Sequence, residues 1–167
     1  GEDRPGVIGY QWLVATDPAL NDIVHTGSGE TDLDKDYTVK IDVLALLPGT
    51  TYYYRFEALN WASETGRTKT LPVGDVSHVR LAMTSCTNYT YGYFNVYAAI
   101  ANRQDLDAVL HLGDYIYEYG GSYSSDKIDR VHSPDKEIIS LSDYRLRHDQ
   151  YKTDQDLQRV HQQFPFI

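Results

Sequence analysis

Apolar and polar residues alternate with a period of two along most of residues 1–70. Tyr10, Trp12 and Val14 share one side of a strand, with Gln11 on the other. Tyr37, Val39, Ile41 and Val43 alternate with Thr38, Lys40 and Asp42, and Tyr52, Tyr54, Phe56 and Ala58 alternate with Tyr53, Arg55 and Glu57. This is the pattern of half-buried antiparallel strands. Turn chemistry at Asp17-Pro18, Gly27-Ser28-Gly29 and Pro48-Gly49 separates them. After Pro72-Val73-Gly74-Asp75, which reads as a linker, the period changes. Residues 79–84 form a strand. Tyr91 to Arg103 carries Phe94, Val96, Tyr97, Ile100 and Ala101 at helical spacing, and residues 107–112 form a nearly all-apolar second strand. The second strand, so apolar, is expected to be buried on both faces, and strand, helix and strand in so short a span make a βαβ unit with parallel strands.

Further on, Gly120 to Lys136 is rich in Gly, Ser and Asp and reads as a long loop. Ser142 is placed to cap a helix running through Arg147 and Tyr151, and Thr153 with Asp156 forms a capping box for another that ends before Pro165. Phe164-Pro165-Phe166-Ile167 reads as the approach to a further strand.

Leu47-Pro48-Gly49-Thr50-Thr51-Tyr52-Tyr53-Tyr54 resembles the turn and following strand of a fibronectin type III domain, with its tyrosine corner. Counting back finds about five strand candidates where that sandwich has about seven, so the missing pair, with any signal peptide, is expected ahead of Gly1. The expected fold is thus a fibronectin type III-like β sandwich over residues 1–72, N-terminally incomplete, followed by an α/β domain over residues 78–167, C-terminally incomplete.

Composition narrows the function. Of 167 residues, 24 are acidic and 15 basic, a net charge of −9 with no basic stripe, which disfavours a nucleic-acid partner. No apolar run is long enough to span a membrane. The single cysteine, Cys86, rules out an internal disulfide framework and a CxxC zinc cluster. Tyrosines crowd between positions 89 and 123 (Tyr89, Tyr91, Tyr93, Tyr97, Tyr115, Tyr117, Tyr119, Tyr123), as an aromatic wall or as core packing.

In an open parallel sheet, ligands gather beyond the carboxyl ends of the strands. Two loops lie there: Ser85-Cys86-Thr87-Asn88 and Gly113-Asp114-Tyr115-Ile116-Tyr117-Glu118. Cys86 and Asp114 each stand two residues past a strand, and neighbouring strands are about 4.8 Å apart, so both reach one metal ion. Gly113 lets the backbone turn and approach a ligand. A thiolate, a carboxylate and the Tyr117 phenolate would repel one another without a multivalent cation, and a ferric ion suits such donors better than zinc. Each has a plainer reading: Cys86 as a small buried hydrophobe, Asp114 as a turn residue, Tyr117 as part of the aromatic wall. His111 fits a hydrogen-bonded core histidine better than a ligand, and His148 and His161 are expected to face solvent. Asn88-Tyr89-Thr90 matches a glycosylation sequon, but a sugar there would block the cleft. Arg145 and Arg147 could meet a phosphate, though a solvated helix face is the simpler expectation.

Ser85-Cys86, Asn88-Tyr89, Gly92-Tyr93-Phe94 and the run Leu110-His111-Leu112-Gly113-Asp114-Tyr115-Ile116-Tyr117-Glu118-Tyr119 strongly resemble the alkaline phosphatase D family, whose calcineurin-like metallophosphoesterase domain follows a fibronectin-like one. The resemblance implies that Cys86 binds Fe3+, that Asp114 bridges it to Ca2+ as the catalytic carboxylate, and that Tyr117 donates a phenolate to the iron. It further implies a secreted or periplasmic hydrolase of phosphate monoesters and diesters, in which a metal-activated hydroxide attacks phosphorus in line. Some relatives are secreted phospholipases D. The family's later ligands, an Asp-Asp-His-Glu-like stretch among them, would follow Ile167, so the rest of the protein is expected to be needed for activity. The rival readings are a carbohydrate- or partner-binding β module with exposed aromatics such as Trp61 or Tyr53, and a protein with a purely structural zinc or calcium.

Overall fold

The computed structural model describes residues 6–121 and 128–167, and Tyr123 of the tyrosine cluster lies outside them. The chain divides into two compact units, residues 1–77 and 78–167.

In the first unit β1 (Val7–Ala15), β2 (Ile23–Asp32), β3 (Thr51–Ala58), β4 (Trp61–Ala62) and β5 (Gly66–Lys69) form one antiparallel sheet. β1 lies between β2 and β3, and β4 and β5 both pair with β3. The alternation expected of β1 is present along most of the strand, whereas β3 is half-buried along nearly its whole length; Val14 and Tyr52 are buried. The Tyr52 hydroxyl accepts a hydrogen bond from the Leu47 amide at 2.9 Å, the backward reach that defines a tyrosine corner.

Two expectations fail here. Gly27-Ser28-Gly29 is no turn but the middle of β2, opposite Trp12, Gln11 and Tyr10. A Cβ on Gly27 would sit 2.6 Å from the Trp12 ring, and one on Gly29 2.5 Å from the Tyr10 hydroxyl. The glycines make room for aromatic side chains folded across the strand, a packing need that resembles turn chemistry in sequence. Residues 38–44 form no strand either. A single 3-10 turn at Leu33–Lys35 and the left-handed residues Asp36 and Tyr37 break the chain just before them. The alternating segment then finds no ladder partner among the described residues.

The second unit holds the expected βαβ crossover. β6 (Leu81–Thr84) and β7 (Ala108–His111) pair in parallel, Leu81 beside Ala108 and Thr84 beside His111, joined through α1 (Asn95–Ala101). α1 starts later than its apolar spacing suggests, and ahead of it Asn88 holds a turn, its side-chain oxygen accepting from the amide and hydroxyl of Thr90 at 3.1 Å. On the other edge of β7, Val109 donates to the Pro165 carbonyl and accepts from the Ile167 amide, both at 2.9 Å, so the C-terminal residues add a parallel segment as anticipated.

The helices α2 (Leu141–Lys152) and α3 (Gln155–Gln163) are capped one or two residues away from the expected positions. Ser140, not Ser142, caps α2, because only Ser140 has an acid three residues on: Asp143 completes the box. Asp154 caps α3, accepting from the Asp156 and Leu157 amides at 3.0 Å, while the Thr153 hydroxyl bonds back to Gln150. The core joins Phe94, Tyr97 and Ala101 to Val109, Tyr151, Leu157, Val160 and Phe164. The tyrosine cluster is therefore divided, not a continuous wall: Tyr97 is core, and Tyr91, Tyr93 and Tyr119 are exposed.

If Trp12 needs the empty space at Gly27, then Gly27→Val lowers stability by about 1–3 kcal/mol despite the strand preference of valine. Gly9→Val, where nothing lies within 4 Å of an added Cβ, is neutral or stabilising. Urea unfolding of the two variants checks the contrast.

Candidate metal centre

The parallel register does not stop where β6 and β7 stop. Leu112 donates to the Thr84 carbonyl at 2.8 Å, Cys86 to the Gly113 carbonyl at 3.2 Å, and Thr87 to the Asp114 carbonyl at 2.9 Å. The two loops therefore stay laced for three residues past the strands, which sets Cys86 beside Gly113 and Asp114. Gly113 has φ +111°, a conformation open to glycine and costly for other residues. Cys86 (φ +58°) and Asp114 (φ +54°) are also left-handed, and they are the two non-glycine residues of this unit with positive φ among those described. Left-handed backbone at a non-glycine residue costs about 1–3 kcal/mol and gathers at functional sites.

That backbone turns the side chains toward each other. The Cys86 thiol donates to Asp114 Oδ2 at 3.6 Å, and the Tyr117 hydroxyl donates to the same oxygen at 3.3 Å. Cys86 and Asp114 are exposed, so the cluster opens to solvent. Desolvation, with the neighbouring Cys86 and Asp114, holds the Tyr117 hydroxyl well above the usual phenol range. Three groups that would be anions when ionised thus meet at one oxygen. The set fits a multivalent cation, which would replace the shared protons. Among the described residues no three His, Cys, Asp or Glu side chains gather as a metal group. This cluster has two of that kind, completed by a phenol.

Behind it, Thr87 Oγ1 lies 2.6 Å from the Tyr97 hydroxyl and 2.9 Å from His111 Nε2. His111 is thus a hydrogen-bonded histidine behind the loops, and desolvation lowers its pKa although Asp114 pulls the other way. The link through Thr87 has no sequence signature that would have singled it out.

Two expectations are corrected. His161 does not face solvent: it stacks on Phe166 at 3.8 Å between ring centroids and lies 2.7 Å from the Tyr115 hydroxyl and 3.1 Å from Lys152 Nζ. Burial, then the Lys152 charge, pushes its pKa down to about 3. His148 is exposed, stacked against Tyr115. Nor does Arg147 lie on a solvated face or reach toward a phosphate: its side chain is fully buried and bonded to backbone carbonyls. In the first unit Trp61 is 81% exposed.

Comparison with known proteins adds to this geometry. A sequence model of the PhoD-like phosphatase family matches residues 81–167, and one described as PhoD-like phosphatase, N-terminal domain, matches residues 2–72. The chain is 39% identical over 160 residues to alkaline phosphatase D of Bacillus subtilis (strain 168), covering 94% of this chain and 27% of that protein. A solved structure described as the structure of PhoD superposes on the whole chain with a TM-score of 0.91 at 38% identity, covering 32% of the solved chain. The chain therefore spans about a third or less of the relatives it matches.

His161 also sets a pH dependence. Its pKa is depressed by folding, so the unfolded chain binds more protons between about pH 3 and 6.5, and stability falls as the pH drops through that window. The slope from this one group is at most about 1.4 kcal/mol per pH unit. Thermal melts from pH 7 to pH 4 should flatten in His161→Gln relative to the parent.

Proposed function

Because the chain belongs to the PhoD-like phosphatase family, we propose that residues 78–167 form the first part of a calcineurin-like, metal-dependent phosphoesterase domain. Residues 1–72 are its fibronectin type III-like companion, and phosphate monoesters and diesters are its substrates. Cys86, Asp114 and Tyr117 are the residues that would hold the metal ions, iron with its thiolate and phenolate donors and calcium with the Asp114 carboxylate as a further donor. The observation that carries this reading is the meeting of Cys86 and Tyr117 at Asp114 Oδ2, on loops whose two left-handed non-glycine residues are Cys86 and Asp114.

Bound there, a ferric ion with calcium would supply Lewis-acid polarisation of the phosphoryl group and neutralise charge in an in-line displacement. The protein's own part is to bring anionic donors together and to move their protons. Both the Cys86 thiol and the Tyr117 hydroxyl donate to Asp114 Oδ2, so binding a cation there would release both protons and free that carboxylate. Gly113, with open space where a Cβ would stand, leaves the loop clear for a phosphate oxygen. A family member of this kind acts outside the cytoplasm. Among the described residues no helix is long and apolar enough to cross a membrane.

A second reading has one observation in its favour. Trp61 stands exposed at the rim of an open cleft of about 850 Å³ that Tyr10, Gln11 and Glu57 also line, a shape suited to stacking a sugar ring. In that case the β unit binds carbohydrate, and sugars would quench Trp fluorescence in the parent and not in Trp61→Ala.

Elemental analysis and a visible spectrum of the full-length protein test the leading reading. Stoichiometric iron with a charge-transfer band that shifts in Tyr117→Phe and disappears with the iron in Asp114→Asn is the expected outcome. An active, colourless and iron-free enzyme would contradict it.

A further inference from the structure

Arg147, on α2, is 0% exposed. A buried guanidinium is expensive unless each of its five N–H groups finds an acceptor. Here all five do. Nε donates to the Ser133 carbonyl at 3.2 Å; Nη1 to the carbonyls of Tyr117 at 2.5 Å and Tyr119 at 3.0 Å; Nη2 to those of Pro134 at 2.8 Å and Lys136 at 3.4 Å. These bonds go to backbone carbonyls and none to a carboxylate. Burial accordingly lowers the Arg147 pKa, while Tyr151, Asp135 and Asp143 pull it back.

The carbonyls belong to two stretches of chain. One is the loop after β7 that carries Asp114 and Tyr117. The other, residues 133–136, leads toward α2. Arg147 ties them together from one side. They are pressed close elsewhere too: the Ile138 amide donates to the Glu118 carbonyl at 2.9 Å, and a Cβ on Gly120 would meet the Lys136 backbone at 2.5 Å. The bond to the Tyr117 carbonyl fixes the residue whose hydroxyl meets Asp114 Oδ2. A lysine could not replace this fork, since its donors radiate from one nitrogen.

We propose that Arg147 is a positioning residue for the metal centre. By clamping the Tyr117 and Tyr119 carbonyls to residues 133–136, it holds the Tyr117 phenol where it can join Cys86 and Asp114 on a metal ion. This rests on the reading of Tyr117 as a ligand. Arg147 touches neither metal nor substrate in this role. Its effect is on the geometry of a ligand, an influence that elsewhere changes metal affinity or activity by about 10- to 100-fold.

The test uses full-length, iron-loaded protein in four forms: parent, Tyr117→Phe, Arg147→Lys and Val160→Ala. Val160→Ala removes buried core volume on α3 without touching the clamp, and so controls for destabilisation alone. The expected result is that Arg147→Lys folds, loses much of the charge-transfer intensity that Tyr117→Phe also perturbs, and drops kcat about 10- to 100-fold with little change in KM. Val160→Ala, though less stable, keeps the parent spectrum. If Tyr117→Phe alters the band and a folded Arg147→Lys does not, the positioning role is overturned while the ligand reading stands. If neither alters it, the Tyr117 ligand reading falls, and this inference with it. Should Arg147→Lys fail to fold, Gly120→Ala opens the same loop pair from its other end, and an unchanged band in that variant overturns the proposal.

Discussion

The candidate centre depends on one constraint: two parallel strands that keep their hydrogen-bond register after they have ceased to be strands. Parallel pairing fixes which residue of one loop lies beside which residue of the next, and the bonds from Cys86 to Gly113 and from Thr87 to Asp114 carry that pairing outward. Without it, Cys86 and Asp114 would be two polar residues on separate turns. With it, each is forced into left-handed backbone, and their side chains meet. The stability for that strain is supplied by the core beneath, where Val109 packs with Phe94, Tyr97, Leu157 and Val160.

A second layer of order lies behind the first, and it is polar. Thr87 ties its loop to Tyr97 and His111, and Arg147 ties the following loop to the chain entering α2. Burying a guanidinium among carbonyls is an unusual way to hold a loop, because it leaves the charge without a direct counter-ion among the described residues. It is geometrically demanding in return: five donors in one plane specify five acceptor positions, and a loop so held has little freedom to carry Tyr117 elsewhere.

The sequence made some of this legible and hid the rest for identifiable reasons. The βαβ unit was readable because period and composition change together at residue 79, and Gly113-Asp114 was readable because it follows an apolar strand. The tyrosine corner at Tyr52 was readable from a local string. Gly27 and Gly29 misled because a glycine that yields space to an aromatic ring looks the same as one that makes a turn. Residues 37–43 misled because alternation describes a face, not a partner, and the left-handed residues at 36 and 37 interrupt the chain first. The places of Arg147 and His161 were hidden because burial of a polar group depends on acceptors distant in sequence, Tyr117 and Tyr119 for one and Tyr115 for the other.

Cys86, Asp114 and Tyr117 are proposed to share one ion. The most direct measurement is iron-edge X-ray absorption on the full-length protein, which counts the sulfur atoms bonded to the metal. One sulfur neighbour alongside oxygen neighbours, lost in Cys86→Ser, is the predicted result, since the chain described here has a single cysteine to offer. An iron site with only oxygen and nitrogen neighbours in the unaltered protein would contradict it.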